Sequence, residues 1–358
     1  GFMNAEIWKE MQVDTKGKFG GLGIEITLEE GFVKVISPIE DTPAYKAGVL
    51  AGDYIIQINE TPVFGLTLNE AVDLMRGDRG EPITITISRE GLEPFELTII
   101  RDIIKVQSVK SEIYENIGYL RVTSFSEQSE DGLKKSIKRI KKELGQNEKG
   151  YILDLRSNPG GLLDQAVKVT DIFLEKGEIV STRGREKKDI KRYNAKSGDL
   201  INKKPLVIII NGGSASAAEI VAGALQDHKR AIVIGTNSFG KGSVQSIIPF
   251  QKSNSNEMTG IRLTTARYYT PSGKSIQGKG IVPDIIVEQG VFESFDYQNF
   301  SEADLKDSLD KEDKNKNTEE SPEEELSEKE KKLKKDFQLQ RALDLIRGLS
   351  IYKESLTN

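Results

Sequence analysis

Two serines stand in the run Asn211-Gly212-Gly213-Ser214-Ala215-Ser216-Ala217-Ala218-Glu219. The run follows the most apolar stretch of the chain, Leu206-Val207-Ile208-Ile209-Ile210, and opens a helical pattern. A serine at such a strand-to-helix turn lies beside backbone N–H groups that lack intrahelical partners, at the positive end of the helix dipole. A hydroxyl nucleophile can be exposed there, with donors ready for a developing oxyanion. The same position suits a simple helix cap, and the residues alone do not say which serine matters.

A second run, Gly235-Thr236-Asn237-Ser238-Phe239-Gly240-Lys241-Gly242, nearly spells a phosphate-binding loop. Residue 242 is glycine, so the hydroxyl that would hold Mg²⁺ is missing. The following Ser243-Val244-Gln245-Ser246-Ile247-Ile248-Pro249 reads as a strand, where that loop needs a helix. Lys241 is then either a surface lysine in a glycine turn or a general base. A base must be uncharged, and from a reference pKa of about 10.4 a desolvated pocket has to lower it by about 3 units, roughly 4 kcal/mol. Ser-Lys pairs are a known variant of triad logic. Gln245, four residues on and on the same face of an extended strand, offers a neutral amide to orient the amine.

A third run, Asp154-Leu155-Arg156-Ser157-Asn158-Pro159-Gly160-Gly161, ends another apolar stretch. Its paired glycines let a backbone N–H approach a ligand closely, as half of an oxyanion hole, or they make an ordinary turn before a helix at 162. The chain has no cysteine and one histidine, which excludes thiol nucleophiles, disulfides and multi-histidine metal sites. That histidine, His228, sits among charges at a helix end and reads as a solvated residue rather than a base. A fourth feature, the turn Phe19-Gly20-Gly21-Leu22-Gly23, precedes a strand. Successive N–H groups in such a turn form a carboxylate-binding nest, and a strand edge beside a helix accepts an extended peptide.

The positioning elements can be read as well. Residues 17–102 have the alternation of a small, mostly β module, with Thr67 and Glu70 forming a capping box before helically spaced Leu68, Ala71, Val72 and Met75. Residues 103–290 carry apolar runs at 151–153, 206–210 and 231–234, separated by helical patterns at about 162–174 and 217–226. Runs without alternation suit strands covered on both faces, and so a βαβ core in an α/β fold. Residues 1–16 form an N-terminal segment expected to pack on that core. Residues 291–335 are polar and read as a linker or mobile loop. Residues 336–358 hold an amphipathic helix that could pack on the core or on another subunit. Of the net charge of −5, residues 301–326 contribute −7, so the body is nearly neutral and lacks the basic footprint of a nucleic-acid binder.

Taken in order, these motifs, together with Thr42-Pro43-Ala44 through Ala47-Gly48 and Leu74-Met75-Arg76-Gly77, resemble the C-terminal processing (tail-specific) serine proteases of the CtpA type over about residues 5–290. The resemblance implies a PDZ domain inserted in a crotonase-like protease core. It puts the nucleophile on Ser216, the base on Lys241, the lysine-orienting residue on Gln245 and the oxyanion hole on the amides of Gly161 and Ala217. It further implies capture of substrate C-termini by Gly21, Leu22 and Gly23, and coupling of PDZ to core through Arg76. The chain departs from the family pattern at Ala218, where serine is common, a position without a catalytic role in the family. No metal or cofactor is implied. The implied partners are protein and peptide substrates with free C-termini and further copies of the chain, with room for an adaptor. The family works outside the cytoplasm, so the resemblance implies a protein exported to the bacterial periplasm or cell envelope, with an export signal that is not part of this sequence. A catalytically idle PDZ scaffold and a crotonase-like acyl-CoA enzyme are the alternatives.

Overall fold

The computed structural model describes residues 1–196, 198–251, 258–290, 333 and 335–357. The stretch read as a linker falls almost wholly outside them. The centre of the molecule is a six-stranded sheet in the order Val109–Tyr114, Ile117–Val122, Gly150–Asp154, Leu206–Ile210, Ile232–Gly235 and Ile285–Ile286. The first pair is antiparallel and every later pair parallel.

The apolar runs are uninterrupted because both faces are covered. Leu153, Ile208 and Ile210 belong to a cluster under the helices Ser129–Leu144, Leu163–Asp171 and Ala217–Asp227. Their neighbours Ile152, Val207 and Ile209 belong to a second cluster with Leu339, Ala342, Leu343 and Ile346 of the C-terminal helix Phe337–Thr357. The side-chain alternation of each strand therefore divides one continuous apolar run between two helical layers. The C-terminal helix packs on the core.

This topology positions the site. The three chemistry-bearing runs each leave the carboxyl end of a neighbouring parallel strand: Gly150–Asp154, Leu206–Ile210 and Ile232–Gly235. They must emerge along one edge of the sheet, where open α/β sheets place their ligands.

A second sheet contains Phe2–Met3, Glu178–Arg183, Lys191–Asn194 and a long pair of strands, Ser243–Gln251 with Met258–Tyr269. The first of that pair is legible in sequence at 243–249, but its partner is not, because most residues of the pair are exposed and so carry no clear inward stripe. In the N-terminal segment Met3 is buried, and Trp8 of the helix Ala5–Lys16 covers Gly260 closely enough that a Cβ there would approach the indole to 2.7 Å.

The mostly β module has its own sheet, in the order Ile24–Glu29, Phe32–Pro38, Tyr54–Ile58, Pro82–Ser88 and Phe95–Ile100. Ile83, Ile85 and Ile87 are buried on its inner face beside Ala71 and Met75 of the helix Leu68–Met75, whose Thr67–Glu70 capping box is present. Ile24–Glu29 is an edge strand paired only with Phe32–Pro38. The chain enters and leaves through the paired strands Lys18–Gly21 and Asp102–Lys105, and the Val106 amide donates to the Gly17 carbonyl at 2.8 Å just outside them.

Leu343→Ala is expected to cost about 2–5 kcal/mol by leaving a cavity under the central sheet, read as a lowered urea midpoint. An unchanged midpoint would mean that the C-terminal helix contributes nothing to the core.

Candidate active site

Ser216 is the residue that caps the helix Ala217–Asp227, in an unusual conformation for a cap: φ 54°, ψ −110°. Positive φ at a non-glycine residue is strained and persists only where its surroundings over-determine it. The two candidate serines are thereby distinguished. Ser214 is fully buried, its hydroxyl donating to the Leu155 carbonyl at 2.8 Å and accepting from the Asn211 amide at 3.0 Å. It ties two loops together. Ser216 instead lines a cleft of about 870 Å³, as does Lys241.

What brings Ser216 and Lys241 to one cleft is Glu219. Its carboxylate is fully buried and accepts four hydrogen bonds. One oxygen takes the amides of Ser216 at 2.8 Å and Lys241 at 2.9 Å. The other takes the Ser238 hydroxyl at 2.5 Å and the Gly240 amide at 2.6 Å. Burying a carboxylate costs several kcal/mol, which charge-assisted hydrogen bonds of this number offset. The sequence shows Glu219 only as the third residue of a helix after a serine. Its bonds to residues 238–241 arise from tertiary structure.

The glycine loop completes one wall. Gly160 has φ +103° and packs so closely on the serine turn that a Cβ would meet Ser216 Cβ at 2.8 Å. Gly161 has φ +142°, and a Cβ there would come within 2.2 Å of the Phe125 carbonyl oxygen. Neighbouring amides are engaged: Gly160 N–H with Asn158 Oδ1 at 2.9 Å and Leu162 N–H with the Phe125 carbonyl at 2.8 Å. Asn158, fully buried, also accepts the Ala215 amide on its carbonyl and donates its side-chain amide to Val122. It is thus a bridge between the glycine loop and the serine turn that sequence reasoning did not single out. Ala217 opens the helix, where backbone N–H groups have no intrahelical acceptor.

Several expectations change in detail. Lys241 is only half-buried, and Phe239 close by in the same loop is 68% exposed. Lys241 precedes the strand Ser243–Gln251 rather than belonging to it, and the register shifts between Val244 and Gln245. Simple alternation therefore does not relate Lys241 to Gln245, although both line the cleft. His228 is not simply solvated: its Nε2 lies 2.7 Å from the Glu178 carbonyl oxygen, and its ring packs over Gly177. It is absent from the cleft lining. Arg76 caps the helix Leu68–Met75 and stacks its guanidinium 5.1 Å from the Phe19 ring. Among the described residues no hydrogen bond or ion pair links it to the core.

The cleft also has walls that the sequence did not reveal. Val13, Asp14 and Thr15 of the N-terminal helix and Gly17 border it, as do Tyr193 and Tyr268. Burial pushes the Tyr268 hydroxyl up to about 12, so it stays protonated at neutral pH. In the mostly β module, Leu22 is buried with its carbonyl accepting the Ala44 amide, and Gly23 adopts φ +82° against Thr42.

Residues 116–287 match the model of peptidase family S41, and residues 34–89 match that of the PDZ domain. Over 351 residues the chain is 53% identical to a carboxy-terminal-processing protease of Bartonella bacilliformis, covering 97% of this chain and 79% of that protein. The chain belongs to peptidase family S41. This S41 chain is also 33% identical to the carboxyl-terminal-processing protease of Synechocystis, covering 86% of the chain and 72% of the relative. It is 36% identical to the carboxy-terminal processing protease CtpA of Bacillus subtilis, spanning 60% of that relative's length. Among solved structures, a photosystem II D1 C-terminal processing protease is similar with a TM-score of 0.48 at 28% identity, over 80% of this chain and 77% of that one. The molecule is a serine protease of the C-terminal processing family, with a PDZ domain set into its protease core.

Glu219→Gln turns one acceptor oxygen into a donor facing two existing donors. Kinetics are expected to show a fall in kcat of about 100-fold, the scale set by small misplacements of reacting groups. Thermal melting is expected to show a loss of about 2–5 kcal/mol from unpaired buried groups. Full activity in the variant would mean that the carboxylate does not hold the two loops in place.

Proposed function

We propose that Ser216 is the nucleophile and Lys241 its general base in a Ser-Lys endopeptidase. The observation that carries this reading is the single Glu219 oxygen that accepts both their amides, placing two chemically complementary side chains in one cleft. In this reading uncharged Lys241 Nζ takes the Ser216 hydroxyl proton as Oγ attacks the substrate carbonyl carbon. The amides of Gly161 and Ala217 donate to the resulting oxyanion. The proton passes to the leaving amine as the peptide C–N bond breaks, and water then releases the acyl group by the same base. Gln245 orients the amine from the cleft wall.

The PDZ domain supplies the substrate. Gly21, Leu22 and Gly23 would receive a C-terminal carboxylate, and the open edge of Ile24–Glu29 would take the preceding residues as an added strand. Gly17 and Val106, where the chain crosses between PDZ and core, both border the cleft. A displacement of the PDZ domain at that crossing would move the cleft wall, which favours gating by bound peptide. Arg76 is the PDZ residue we assign to that coupling. By linkage, a peptide activates only if it binds the open arrangement more tightly. The substrates in this proposal are exported proteins with free C-termini. No described helix is long and apolar enough to cross a membrane.

Cleavage of an intrinsically unfolded protein, followed by mass spectrometry, tests the dyad. Ser216→Ala and Lys241→Ala are each expected to abolish turnover with unchanged circular dichroism, and persistent cleavage by either variant would refute the assignment. Amidating the substrate's C-terminus is expected to raise KM at least tenfold. An unaltered KM would remove the carboxylate-capture role.

A further inference from the structure

Arg156 is a buried group that the proposed chemistry does not use. It belongs to the glycine loop, two residues before Asn158, yet its side chain reaches the C-terminal helix. The residue is 8% exposed, and Asp154 beside it is fully buried. Asp154 accepts the Arg156 backbone amide at 2.9 Å, Nε at 3.0 Å, Nη2 at 2.6 Å and the Tyr119 hydroxyl at 2.7 Å. On the outer side Asp336 meets the guanidinium as a two-toothed fork, Nη1 to Oδ1 and Nη2 to Oδ2, each at 2.7 Å. Asp336 Oδ1 also accepts the Leu339 amide at 3.0 Å, so one carboxylate both starts the C-terminal helix and grips the arginine. Gln338 adds a bond to Nη1 at 3.2 Å and ties itself to the Val287 carbonyl.

We infer that Asp336 is a positioning residue for the glycine loop, acting through Arg156. This rests on the reading of Gly161 as an oxyanion donor. Burial alone would lift the Asp336 pKa, but the bonds from Arg156 outweigh it and hold the carboxyl below its ordinary range, so the pair is charged at neutral pH. Bidentate pairing fixes the plane of the guanidinium as well as its location. With that plane held, the backbone of residue 156 is fixed between the Leu155 carbonyl, which accepts from Ser214, and the Ser157 amide, which donates to Asn211. The loop that carries Gly160 and Gly161 is thereby braced from the opposite layer of the protein. Without Asp336 the arginine keeps Asp154 and the longer bond to Gln338 but loses both arms of the fork, and the loop gains freedom at the atoms that would face the oxyanion.

Asp336→Asn keeps the size and the capping oxygen while removing the charge and one arm of the fork. The expected result is a fall in kcat of about tenfold with KM within twofold of wild type, and recovery of most of the rate in Asp336→Glu. A peptide boronate, which forms a tetrahedral adduct with a serine, should bind about tenfold more weakly, while a product peptide binds as before. Hydrogen exchange at the amides of Ser157, Asn158, Gly160 and Gly161 should quicken. Unchanged kcat and exchange, or an equal loss of boronate and product affinity, would overturn the inference. If Asp336→Asn fails to fold, Arg156→Lys, which keeps the charge but not the fork, gives the same comparison. Retained cleavage by Ser216→Ala would defeat the reading of the site, and the exchange of Ser157, Asn158, Gly160 and Gly161 would still decide the coupling.

Discussion

One buried carboxylate organises the catalytic end of this protein. Glu219 has no solvent to neutralise it, so its four donors are a physical requirement rather than an ornament. Two are the backbone amides of a positive-φ serine and of a lysine, and two come from the loop just before that lysine. The result is that a turn following one parallel strand and a loop following its neighbour are locked in register. The strain at Ser216 is maintained because its amide has one place to go, and moving it would leave a charged acceptor under-satisfied.

The surrounding architecture is a consequence of the same economy of position. Three adjacent parallel strands point their carboxyl ends toward one edge, so short loops suffice to assemble groups from residues 154–161, 211–219 and 235–242. The glycine loop meets the serine turn backbone to backbone, with a separation at Gly160 that admits no side chain. Asn158 and Ser214 sew the two together from beneath. Ordinary helical layers above and below the sheet then make that edge rigid.

Much of this was legible in residue order. The buried strands, the capping box at Thr67, the serine turn and the change from a mostly β module to a βαβ core all follow from periodicity and local turn chemistry. Other features were hidden for physical reasons. The Glu219 network needs partners brought together by folding, and a capping glutamate looks the same with or without them. The strands Ser243–Gln251 and Met258–Tyr269 expose most of their side chains, so no apolar stripe announces their full length. The irregularity at Val244 and Gln245 breaks the two-residue repeat on which the placement of Gln245 relied. His228, judged by its charged neighbours, found a backbone carbonyl from a strand about fifty residues away.

The paired crossing at Gly17 and Val106 has a topological consequence. Because the inserted module begins and ends at a single point, the host core would regain a continuous chain if those two residues were bridged by a short turn. The recognition unit is in that sense a detachable cassette. Its binding preference can diverge by substitution within the cassette while the hydrolytic scaffold keeps its own folding pattern.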